Sequence, residues 1–274
     1  MSAIVYQIPL AQLEAFRGLA AVVRSERPID LVAELSSEDI GNLAYVQLCG
    51  LPSDTDVLVH WAEGLPVELL LDQPEQKFPS LYRYTKLQDN HPVRIAIPVE
   101  PGFEKAVKLA LSLQFAVKLE IGQPEPALIA SLARVLDGYL HKSTVTQPIE
   151  FFHSVLLGYC RDEPIDLWAI QEEDPALIRT IDEEGRECLP GRLSSLVPGP
   201  APDEFVADWS TGLSAAGAEC TECPFFSACR SYFKWPDRDY DCAGVKALLT
   251  TLKQAAEALR ADLAAAASSL GATP

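Results

Sequence analysis

From residue 93 to residue 155 the chain alternates short apolar runs with segments of helical periodicity, and few folds accept that order. Residues 93–99, 117–121 and 149–155 are near-continuous apolar runs, the pattern of strands covered on both faces. Between them, residues 102–113 carry Phe103, Ala106, Val107, Ala110 and Leu111 at helical spacing. Residues 126–140 do the same with Leu128, Leu132, Val135, Leu136 and Tyr139, and Pro126 suits a first helical turn. A β-α-β-α-β order implies parallel strands joined by right-handed crossovers. Upstream, residues 29–35, 43–48, 57–61 and 67–71 read as further strands, and residues 72–92 as a loop. The first 24 residues place Leu10, Leu13, Phe16, Leu19 and Val23 on a stripe and read as an amphipathic helix. The expected class is α/β, with residues 1–160 forming a partial or degenerate β/α barrel. Residues 161–274 form a smaller region: a hairpin around Asp182-Glu-Glu-Gly185, a Pro- and Gly-rich wrap over 189–204, a cysteine cluster and a terminal helix. The last residues, Ser-Ser-Leu-Gly-Ala-Thr-Pro, are expected to fray.

Charge narrows the partners. The 274 residues carry a formal net charge of -17. So acidic a chain repels phosphate backbones and anionic lipid surfaces, so neither nucleic acid nor membrane is an expected partner. No basic n-region with an apolar h-region opens the chain, and no apolar run approaches the roughly 20 residues a membrane span needs. A cytoplasmic setting is expected.

Four of the seven cysteines fall between residues 220 and 242. In a reducing compartment such crowding favours a metal site over a disulfide framework. The segment reads Cys220-Thr-Glu-Cys223-Pro-Phe-Phe-Ser-Ala-Cys229, and Cys242 follows after twelve residues. The C-x2-C unit puts two thiolates on one turn, the next gap lets the chain wrap the far side, and Cys242 directly precedes the terminal helix. The positive end of that helix favours thiolates beside it. Phe225, Phe226, Tyr232, Phe233 and Trp235 supply an apolar shell that suits an iron–sulfur cluster. Four thiolates also suit tetrahedral zinc, although zinc sites more often pair two short knuckles.

The tail from about residue 180 to 260 resembles the SPASM region of radical SAM peptide-modifying enzymes. The resemblance rests on Cys220, Cys223-Pro-Phe, Cys229 and Tyr240-Asp-Cys242-Ala-Gly-Val-Lys246. It implies one auxiliary 4Fe-4S cluster on Cys220, Cys223, Cys229 and Cys242. Phe233 stands where that family has a further cysteine, and Cys188 ends a hairpin resembling the one that carries the first ligand of the family's other auxiliary cluster. The other partners are missing, so that other cluster, the family's first auxiliary one, is expected to be absent. The C-x3-C-x2-C motif of a catalytic radical SAM centre is missing too: Cys49 is followed by Ser53 and Asp56 at the spacings where thiolates belong. The resemblance therefore implies a degenerate barrel unable to cleave S-adenosylmethionine. It implies a non-catalytic partner of a radical SAM enzyme, of a ribosomal precursor peptide, or of both. A stand-alone enzyme with chemistry in the barrel mouth and a zinc-stabilised scaffold remain alternatives. His60 reads as a core histidine, Glu150 and His153 as rim polar residues, Cys160 as packing, and the run Glu172-Glu-Asp174 as a solvated turn.

Overall fold

The computed structural model describes residues 4–196 and 201–270. Its strands are β1 (Val5–Pro9), β2 (Ala21–Ser25), β3 (Leu43–Leu48), β4 (Val67–Leu70), β5 (Val93–Pro98), β6 (Ala116–Glu120), β7 (Ile149–Glu150), β8 (Ile178–Ile181) and β9 (Glu187–Cys188). The helices are α1 (Pro28–Glu34), α2 (Ser37–Ile40), α3 (Pro74–Lys77), α4 (Phe103–Ser112), α5 (Pro126–His141), α6 (Phe152–Arg161), α7 (Leu167–Ile170), α8 (Phe205–Ala215), α9 (Phe226–Cys229) and α10 (Ala243–Leu270). The strands form one sheet in the order β7-β6-β5-β4-β3-β2-β1-β8-β9. Neighbours from β7 through to β8 pair parallel, and β8 and β9 close an antiparallel hairpin. The α/β class is as expected, and the hairpin at 178–188 is continuous with the main sheet through β1 and β8.

The sheet has two unlike faces because its side chains alternate along each strand. Ile8, Val23, Val46, Leu69, Ile95, Ile97, Val117 and Leu119 are fully buried or nearly so on the apolar face. α4 covers part of it with Phe103, Ala106, Val107 and Ala110, the stripe its periodicity marks out. The other face carries Gln7, Gln47, Glu68, Arg94 and Lys118. Hydrogen bonds and ion pairs link them across the strands: Thr180 to Gln7, Gln7 to Gln47, Gln47 to Glu68 and Arg94 to Glu68. Residues of β1 and β6 line a single cleft on this face. Those strands are five places apart, about 24 Å in a flat sheet, so the sheet curls around its polar side.

Several local expectations need correction. The opening stretch is β1, a 3-10 turn (Leu10–Phe16) and β2 in place of a helix. Val5 and Gln7 face the cleft while Ile8 enters the core, a strand alternation hidden by the leucines that follow. Residues 29–34 lie in α1 and Leu35 caps it; Pro28 starts the turn, and Leu31 alone of the next few is fully buried. Residues 57–61 turn at the surface, with Val57 exposed and Leu58 buried. The strand expected over 149–155 stops after Glu150, because Phe151 takes φ 79° and turns the chain into α6. Most of the loop expected over 72–92 is α3 and a long 3-10 segment (Phe78–Asp89). Part of the 189–204 wrap and the end of the fraying tail lie outside the described residues; the helix itself runs to Leu270.

Candidate metal centre and adjoining cleft

Three local devices carry the four cysteines. Cys220 lies in a 3-10 turn (Glu219–Glu222), and Cys223 ends it, its N–H donating to the Cys220 carbonyl. Cys229 closes α9, whose N–H donates to the Phe225 carbonyl. Cys242 lies one residue before α10, and the Cys242 carbonyl accepts from Lys246 in the first turn of that helix. All four border one small cavity of about 20 Å³, together with Phe225, Phe226, Ser231 and Phe233. The expected ligand set is thus brought around a common space. Among the described residues, no three His, Cys, Asp or Glu side chains are gathered closely enough to hold a metal ion.

The chain after Cys229 is held in an uncommon conformation. Arg230 and Ser231 both take left-handed φ values, 45° and 61°. Such backbone is costly for residues with a Cβ and persists where surroundings fix it. Here the carbonyls are tied: Arg230 accepts from Trp168 Nε1 at 3.0 Å and Ser210 Oγ at 2.7 Å, and Ser231 from Trp209 Nε1 at 3.2 Å. The double turn folds the Tyr232 and Phe233 N–H groups back onto the Cys229 sulfur. Ser231 is 1% exposed, borders the cavity, and its hydroxyl has no partner.

Burial pushes the Cys229 thiol up to about 11 despite those N–H donors. Burial likewise pushes Cys242 up to about 12, opposed by the Lys234 ammonium. Lys234 is buried, pairs with Glu219 at 2.7 Å and donates to the Tyr240 carbonyl. Lys246 pairs with the same carboxylate. Hydrogen bonds from the two lysines hold Glu219 at about 2. Two cations and one anion therefore sit beside the cysteines, and the Lys234 ammonium opposes the effect of burial on Cys242 without overcoming it.

A second compartment lies behind the first. The cleft on the polar face of the sheet has a volume of about 780 Å³. It runs from the carboxyl ends of β5 and β6 across the face to the first residues of β1, β2, β3 and β8. Tyr232 lines the cleft and Phe233 lines the cysteine cavity, and their rings meet edge to face at 5.2 Å. Arg192 lies over the Tyr232 ring at 4.2 Å, and the Tyr232 hydroxyl donates to the Ile121 carbonyl at 2.8 Å. One dipeptide thus separates the two spaces.

The acidic run 172–174, expected in solvent, is built into this cleft and its support. Glu172 accepts from Tyr45 Oη at 2.8 Å and pairs with Lys118 at 2.5 Å and Arg94 at 3.0 Å. Glu173 pairs with Arg192 at 3.0 Å, and Asp174 is buried. Burial alone would raise the Glu172 carboxyl, but Lys118 and Arg94 hold it at about 2. Sequence reading missed this group because its partners lie far away along the chain. The one available sign was the placement of Lys118 and Arg94 inside apolar strand runs.

The remaining candidates stay apart. His60 has an exposed side chain at a surface turn, correcting its placement in the core. Glu150 accepts from Ser154, while His153 bonds Tyr139, so the two do not act as a pair. Cys49, Cys160 and Cys188 are half-buried and lie outside the cysteine cavity. Burial raises the Cys49 thiol. Among the described residues, no helix is long and apolar enough to cross a membrane. Comparison with protein-family models, with curated proteins and with solved structures gave no match to this chain.

Proposed function

We propose that this chain is a non-catalytic iron–sulfur protein that serves a radical SAM peptide-modification system. In this reading a partial, degenerate radical-SAM-like barrel carries a SPASM-like tail, and Cys220, Cys223, Cys229 and Cys242 hold one 4Fe-4S cluster. The carrying observation is that cysteines from three separate turns border one cavity whose wall also holds the unpartnered Ser231 hydroxyl. The C-x2-C, x5 and x12 spacings suit an iron–sulfur cluster, whereas zinc sites more often pair two short knuckles. Backbone N–H donors to Cys229 and the ammonium groups of Lys234 and Lys246 are the kind of neighbours that stabilise an anionic thiolate cluster. The cluster serves structure or electron relay, and the partners are a radical SAM enzyme and its precursor peptide.

Anaerobic reconstitution is expected to give an absorbance band near about 400 nm that bleaches on reduction, with four irons per chain. Cys223→Ser loses the iron and Cys188→Ser keeps it. Zinc in place of iron from iron-replete anaerobic cells, or equal iron loss in both variants, overturns the assignment. The cleft favours one second reading, a stand-alone enzyme acting there, because charged side chains converge on a substrate-sized space.

A further inference from the structure

The charges lining the cleft do not balance. Its two cations are taken: Lys118 pairs with Glu172 and Arg192 with Glu173. Glu100, Glu120 and Glu125 also line it; among the described residues none of them makes an ion pair within 4.0 Å or a side-chain hydrogen bond, and Glu120 feels Lys118 only at longer range. Glu120 is the innermost by position. It is two residues beyond Lys118 on β6, so strand alternation puts both side chains on the polar face. Glu100 and Glu125 follow the ends of β5 and β6 and form a rim. Burial raises the Glu120 carboxyl, the Lys118 ammonium opposes this, and the carboxylates of Glu68, Glu173 and Glu172 add to it.

A second observation is independent of the acidic groups. Gln171 borders the same cleft and is 6% exposed. Its Oε1 accepts from the Ile121 backbone N–H at 2.9 Å, which fixes which end of the amide is which. The Nε2 donor is therefore defined, buried and without an acceptor. A buried donor of this kind is unfavourable unless something accepts from it.

We propose that this cleft binds a ligand bearing a protonated amine or guanidinium, with the cation against Glu120 and a neighbouring acceptor, such as a peptide carbonyl, toward Gln171. A basic side chain on an extended peptide has both features. A free diamine has only the first. The inference is independent of whether the cysteine cavity holds iron, since Glu120 and Gln171 lie outside that cavity.

The test is fluorescence anisotropy on the full chain with three probes: a labelled, capped pentapeptide of alanines with central lysine, the same peptide with central glutamate, and cadaverine as competitor. The lysine peptide is expected to bind, to weaken with added salt, and to bind about tenfold less tightly to Glu120→Gln. The glutamate peptide is expected not to bind. Competition by cadaverine as strong as by unlabelled lysine peptide assigns a free amine as the ligand; weaker competition assigns the peptide-borne cation. The isosteric change keeps the side-chain volume, and an unchanged melting temperature checks that folding is intact. Equal binding of the two peptides, no binding of any probe, or unaltered affinity in Glu120→Gln overturns the proposal. Glu100→Gln gives an independent second reading and is expected to weaken the lysine peptide less than Glu120→Gln does.

Discussion

Glu172 takes φ 58°, a left-handed backbone that costs a non-glycine residue about 1 kcal/mol or more. Its carboxylate offsets this by joining Tyr45, Arg94 and Lys118. Removing one partner of a buried ion network leaves the others uncompensated, so Glu172→Ala is expected to lose roughly 3 kcal/mol in urea denaturation. The pH dependence follows from the same contacts. Its folded pKa is depressed to about 2, below the ordinary glutamate value of about 4.3. Its stabilising contribution is complete above the ordinary value and is lost as pH falls through the folded one. Glu172→Gln is therefore expected to lose less stability than the parent protein over that interval, followed by melting temperature. None of this was legible in the sequence. An acidic triplet in a turn reads as solvated unless its partners are known, and Arg94 and Lys118 are 78 and 54 residues away. The cysteines were legible, because their spacing is local and their chemistry specific.

At the scale of elements, legibility followed pattern length. α4 and α5 have enough turns for their stripes to stand out, and β3 to β6 were found from apolar runs. β1 and β2 are five residues each, and the apolar residues between them complete a false helical stripe. The terminal helix packs across α5 and α6. A methyl group added at Gly244 would lie 2.8 Å from Ile129 Cγ2, so α10 approaches α5 closely there. Gly244→Ala gains helix propensity but overpacks this contact, and a net loss of about 1–2 kcal/mol in chemical denaturation is expected. α2 is only one turn and depends on its cap. Ser36 Oγ accepts from the Asp39 N–H and the Asp39 carboxylate accepts from the Ser36 N–H. Ser36→Ala is expected to cost about 1 kcal/mol by the same measurement.

At the scale of the molecule, β8 ties the later third of the chain to its beginning. The edge of β1 that faces away from β2 is covered by β8 alone. A chain ended at residue 160 leaves that edge open, with Val5, Tyr6 and Gln7 along it. Self-association visible by light scattering is the expected result. Net charge acts at this scale as well. At -17 the folded chain repels itself, so added salt is expected to raise the melting temperature until screening is complete at a few tenths molar.

The Tyr232–Phe233 wall has a consequence for energetics. Two compartments that share a partition cannot be loaded independently if filling either one stiffens it. Linkage then makes the effect mutual: whatever factor a cation in the cleft adds to metal retention behind the wall, the metal returns to cation affinity. Thinning the partition with Tyr232→Leu, which removes the anchor to Ile121 and the Arg192 stack, should bring that factor toward one from both directions.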